Sequence, residues 1–88
     1  MKRALNFAVL KHFTQVEEAS AEDVIEVLKD DYGDYKMLNK KAIYEILLTG
    51  EVNGFLQESR FELDANGQLR VYYKAHQEGR DTINKYLP

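Results

Sequence analysis

The chain has no cysteine, and its only proline, Pro88, is the last residue. Without cysteine there is neither a disulfide framework nor a thiolate metal site, which fits a reducing compartment, so the cytoplasm is the default expectation. With no internal proline and no Gly/Ser-rich or low-complexity tract, nothing divides residues 1–88. They read as one domain. Long apolar runs are missing as well. Met1-Lys2-Arg3 looks like the start of a signal peptide, but the stretch after it is broken by Asn6, Lys11 and His12. Nowhere do about 18 apolar residues follow one another. The expectation is a protein that is neither secreted nor membrane-spanning. The two histidines, His12 and His76, are far apart, and there is no glycine-rich phosphate loop or HExxH-like spacing. Nothing therefore points to an enzyme or a cofactor. Asp30, Asp31 and Asp34 lack the spacing of a calcium loop, so no metal site is expected.

Positive charge is also in short supply, with a net charge of −3 over 88 residues. Its distribution is uneven. Residues 15–34 hold eight acids against Lys29, a net of −7, leaving +4 on the remainder. Because salt screens charges over about 8–10 Å, an acidic protein can still present a basic face. A chain of this length buries only about 60–65% of its unfolded surface, so a dimer or other partner would add stability.

Helical periodicity accounts for the amino-terminal half. Leu5, Ala8, Val9 and Phe13 recur at helical spacing within residues 3–13, with Phe7 and Leu10 widening the apolar face. Ser20-Ala21-Glu22-Asp23 has the form of a capping box, with Asp in place of the usual Glu. It opens a second helix whose stripe is Val24, Ile25, Val27, Leu28 and Tyr32, with Gly33 as its stop. Asn39 suits the cap of a third helix running to about Thr49, with Gly50 just past its end. On that helix Ala42, Ile43, Ile46 and Leu47 face inward, while Lys40, Lys41, Tyr44, Glu45 and Leu48 face outward. Two lysines in a first turn oppose the helix dipole, so the outward face is not the choice of an isolated helix. Gln77–Leu87 reads as a short final helix docked by Ile83, Tyr86 and Leu87.

Between the third and final helices lies a β-hairpin. Phe55–Leu63 and Leu69–Tyr73 are rich in aromatic and branched residues, and Asp64-Ala65-Asn66-Gly67 is a turn signal. A three-residue loop with Gly67 in the left-handed position sets Leu63 opposite Leu69, Phe61 opposite Val71 and Ser59 opposite Tyr73, making one face dry. The other face then pairs Glu62 with Arg70, Arg60 with Tyr72 and Glu58 with Lys74. A very short first strand around Glu18–Ala19 would complete the sheet. The order predicts an α+β winged helix: a three-helix bundle with a helix-turn-helix, a hairpin wing and a short carboxy-terminal helix.

Leu38-Asn39-Lys40-Lys41-Ala42-Ile43-Tyr44, Gly54-Phe55-Leu56, Asn66-Gly67-Gln68-Leu69-Arg70-Val71-Tyr72-Tyr73-Lys74 and Glu78-Gly79-Arg80 together resemble the winged-helix domain of PadR-like transcriptional regulators. The likeness spans about residues 5–87, and His76 stands where that family commonly has a threonine cap. What the resemblance implies is a repressor-like regulator of double-stranded DNA, with helix 39–49 in the major groove and hairpin 55–74 as the wing. Asn39, Lys40, Lys41 and Tyr44 would contact phosphates or base edges, and Arg60, Arg70 and Lys74 would anchor the wing. With Lys36, these cations offer about four to six phosphate contacts per protomer, so a homodimer is expected. The alternative is a protein-interaction module that does not bind DNA, its partner surface built from Tyr44, Leu48 and Tyr35.

Overall fold

The structure, a computed structural model, describes residues 3–87; Met1, Lys2 and Pro88 lie outside the described residues. Seven elements follow in order: α1 (Leu5–His12), β1 (Ala19–Ser20), α2 (Ala21–Tyr32), α3 (Lys40–Val52), β2 (Gln57–Leu63), β3 (Leu69–Lys74) and α4 (Gln77–Tyr86). The sheet is antiparallel with strand order β1-β3-β2, so the hairpin and a two-residue strand form one layer against the helices. Val9 of α1, Phe13 just past its end, Val24 of α2, and Ile43 and Leu47 of α3 meet Leu56 and Tyr73 in the core. The short first strand is Ala19–Ser20, one residue later than expected, and pairs with Tyr73 and Tyr72.

Local hydrogen bonds fix the helix starts. The Ser20 Oγ accepts from the Asp23 N–H at 3.2 Å while the Ser20 N–H donates to Asp23 Oδ2 at 3.0 Å, closing the capping box at the head of α2. At α3 the Asn39 Oδ1 accepts from the Ala42 N–H at 2.9 Å. His76 caps α4 through Nδ1, which accepts from the Gly79 N–H at 3.1 Å.

The stop of α3 differs from the sequence expectation. Gly50 is a buried residue inside the helix, which runs on to Val52. A Cβ at Gly50 would lie 2.9 Å from Leu56 Cδ1. The missing side chain thus serves close packing against the strand entry. The left-handed residue that turns the chain is Gly54, at φ +82°.

The hairpin register holds from Leu63–Leu69 through Phe61–Val71 to Arg60–Tyr72, and Gly67 is left-handed at φ +76°. Beyond Arg60 it shifts. A bulge at Ser59 sets Glu58 opposite Tyr73 and Gln57 opposite Lys74, replacing the expected Ser59–Tyr73 and Glu58–Lys74 pairs. The expected dry face is dry only at its base. Tyr73 is buried, but Phe61, Leu63 and Leu69 are 66%, 70% and 54% exposed. Val27 and Tyr86, expected in the core, are likewise exposed. Helical spacing gave their faces correctly in direction but too wide.

Among the described residues no helix is long and apolar enough to cross a membrane.

Candidate nucleic-acid interface

The outer face of α3 is built by its cap and its first two turns. Both ends of the Asn39 amide are occupied: besides the cap bond, Nδ2 donates to the Lys36 carbonyl at 2.8 Å. Asn39 therefore positions the helix start, and the side chains left facing outward on the first turns are those of Lys40, Lys41, Tyr44, Glu45 and Leu48. Lys40 and Lys41 are exposed. Lys40 Nζ lies 3.4 Å from Glu22 Oε2 of α2, an ion pair of half-exposed side chains. It also helps to hold the Asp64 carboxyl of the hairpin turn below its ordinary range, after the N–H groups of Gln68 and Asn66. Lys40 also lines a cavity with Leu69 at the start of β3, so the amino terminus of α3 lies beside the hairpin. Lys41 makes no ion pair among the described residues.

Tyr44 and Leu48, 38% and 36% exposed, continue this face one and two turns on. Tyr44 packs edge-on against Tyr73, with ring centroids 6.3 Å apart. Burial, and then a hydrogen bond with Tyr44, raise the Tyr73 hydroxyl well above its ordinary range, keeping it protonated. Between α3 and the hairpin is a cavity of about 210 Å³ lined by Ala21, Glu22, Lys40, Tyr44, Leu69 and Val71. Tyr35 lies in the turn between α2 and α3 and packs edge-on against Tyr32 at 5.0 Å.

The wing arginines are held by carboxylates. Arg70 Nη2 donates to Asp23 Oδ1 at 2.6 Å and its Nε to Ser20 Oγ at 3.0 Å, tying β3 to the head of α2. Arg60 Nε donates to Glu18 Oε1 at 2.8 Å and its Nη1 to Glu62 Oε2 at 3.0 Å, with its guanidinium 3.9 Å from the centre of the Tyr72 ring. Ser59 Oγ donates to the second Glu18 oxygen at 2.6 Å. Hydrogen bonds from Ser59 first, then Arg60, hold the Glu18 carboxyl below its ordinary range, and Lys74 adds a weaker attraction. The bulge explains this clamp, because an extra residue re-aims the side chains beside it. The role of Glu18 was not visible in the sequence. Its partners lie 41 and 42 residues away, and a lone acid before a capping box gives no signal of them.

Two segments of the sequence resemblance meet at the other end of the molecule. The His76 Nε2 lies 3.1 Å from the Gly54 carbonyl, so the tautomer protonated at Nε2 serves both this contact and the α4 cap. A Cβ on Gly79 would fall 2.5 Å from the Phe55 carbonyl oxygen. Arg80 donates to the carbonyls of Ala75 and Val16, each at 3.0 Å.

No protein-family profile and no curated protein sequence matches the chain. Among solved structures it is similar to Bacillus subtilis PadR, determined in complex with operator DNA, with a TM-score of 0.74 over 97% of this chain and 21% sequence identity. The fold is a winged helix. The match covers 47% of the PadR chain, so this sequence spans about half the length of that regulator.

Among the described residues no three histidine or acidic side chains are grouped to hold a metal ion.

Proposed function

We propose that residues 1–88 form one winged-helix domain that acts in the cytoplasm as a DNA-binding, non-catalytic transcriptional regulator of the PadR type, working as a homodimer. The observation that carries this reading is the exposed amino-terminal face of α3, with Lys40 and Lys41 beside a hairpin, on a fold similar to a regulator solved on its operator. That likeness favours duplex binding over the interaction module. In this reading α3 enters the major groove, Lys41 and Lys40 meet phosphates, and Tyr44 and Leu48 lie against base edges, where apolar contact recognises thymine methyl groups. Asn39 fixes the helix start. Arg60 and Arg70, engaged with Glu18 and Asp23, hold the wing in place and reach phosphate only with their outer N–H groups, while Lys74 adds charge at the wing's base.

Selection of duplexes from a random pool by the full chain tests the proposal. Enrichment of a common sequence, abolished by Lys40→Glu with Lys41→Glu, is the expected result. A pool that stays random through repeated rounds at low salt would overturn it.

A further inference from the structure

The order β1-β3-β2 leaves β1 and β2 at the edges, and since β1 has only two residues the long edge of the sheet is β2. We propose that β2 pairs edge to edge with β2 of a second copy of this chain, antiparallel and centred on Phe61, to make a six-stranded sheet.

The hydrogen-bonding pattern sets which groups face outward. The Asp64 N–H donates to the Gln68 carbonyl at 2.8 Å, closing the hairpin. Hydrogen-bonded and non-hydrogen-bonded pairs alternate along an antiparallel ladder, so Glu62–Arg70 and Arg60–Tyr72 are bonded pairs while Leu63–Leu69 and Phe61–Val71 are not. The backbone N–H and C=O groups of Phe61 and Leu63 therefore point away from β3. Such an edge is a template for another strand, and proteins guard it with charge, proline, a bulge or a covering element. On Gln57–Leu63 the bulge at Ser59 guards only one end, and the stretch from Arg60 to Leu63 holds no lysine or proline.

Arg60 and Glu62, bonded to each other within the chain at 3.0 Å, also set the register by the repulsion that any other alignment brings. Centring the pair on Phe61 sets Arg60 against Glu62 of the second copy on both sides of the axis, and the two phenyl rings against each other. Sliding by one step while keeping the apolar faces together sets Arg60 against Arg60 or Glu62 against Glu62, which is repulsive. The strand is self-complementary in one arrangement. The bulge at Ser59 and the turn at Asp64 bound the shared segment, so the ladder is short. The same arrangement joins the exposed Phe61, Leu63 and Leu69 of both copies into one apolar face and leaves both α3 helices on the same side of the sheet.

The test is sedimentation velocity of the full chain over a wide concentration range, joined to amide exchange. The expected result is a monomer–dimer equilibrium, with exchange at Phe61 and Leu63 slowing as concentration rises while the turn amides of Ala65 and Asn66 are unchanged. Leu63→Pro removes an outward N–H without touching the β3 ladder, and Phe61→Lys sets like charges face to face at the axis. Each should leave a folded monomer, seen by circular dichroism, that no longer dimerises. A wild-type chain that stays monomeric throughout, or a dimer that survives both substitutions, overturns the proposal.

Discussion

Arg70 and Asp23 meet at 2.6 Å across 47 residues of sequence, and the same aspartate closes the capping box of α2. One carboxylate thus joins the wing to the helical bundle. Burial raises its pKa, but hydrogen bonds from Ser20 and the Arg70 guanidinium outweigh this and hold it below the ordinary value of 3.8. A depressed carboxyl contributes stability that is complete above its unfolded pKa and is lost as pH falls through the folded value. Thermal melts should therefore show a steep acid limb below about pH 4 that flattens in Asp23→Asn. At neutral pH Asp23→Ala should cost about 1 kcal/mol, lowering the melting temperature by about 4–8 °C. Parallel acid limbs for the wild type and Asp23→Asn would remove Asp23 from this role.

Two buried glycines should respond differently to the same added methyl group. At Gly79 a Cβ meets the fixed Phe55 carbonyl at 2.5 Å, whereas at Gly50 it meets the mobile end of Leu56 at 2.9 Å. Gly79→Ala is expected to destabilise by about 2 kcal/mol through overpacking. Gly50→Ala should stay within about 1 kcal/mol of wild type, since alanine's helix preference offsets the crowding. Urea unfolding of both variants measures the contrast, and equal losses would count against the packing described at α4.

Gly67 has open space around it, so only its backbone conformation resists substitution. Gly67→Val should lower stability by about 1–2 kcal/mol, and Gly67→Asn by less, because asparagine tolerates the left-handed region. A Gly67→Val chain melting with the wild type would refute the three-residue turn.

Replacing His76 tests the cap of α4. His76→Ala should cost about 1 kcal/mol, while His76→Asn, which can still accept from the Gly79 N–H, should retain most of that stability. Calorimetry in a neutral buffer separates the two.

Features set by neighbours in sequence were legible from the sequence. The Ser20–Asp23 box, the Asn39 cap and the Gly67 turn each need only three or four consecutive residues, so local chemistry decides them. The bulge at Ser59 was not legible, because the Glu18 contact it serves reaches across β3 from 41 residues away. Gly50 looked like a helix stop by composition, but its reason is a contact with Leu56 that periodicity does not contain. Alternation placed Phe61, Leu63 and Leu69 on one face correctly. It could not say that they stay more than half exposed. For the candidate interface, the outward set on α3 was read directly. The pairing of Arg60 and Arg70 with acids from elsewhere in the chain depends on the tertiary fold.

Salt dependence of duplex binding bears on the whole reading. If Lys41 and Lys40, helped by Lys36 or Lys74, carry the phosphate contacts while the wing arginines remain paired, about two or three counterions are released per protomer. The logarithm of affinity should then fall against the logarithm of salt with a slope of about −2 to −3 per protomer. Fluorescence anisotropy on a selected duplex measures it, and Lys41→Ala should reduce that slope by about one. No binding at tens of micromolar protein in low salt, or a slope near zero, would contradict a DNA-binding role for α3.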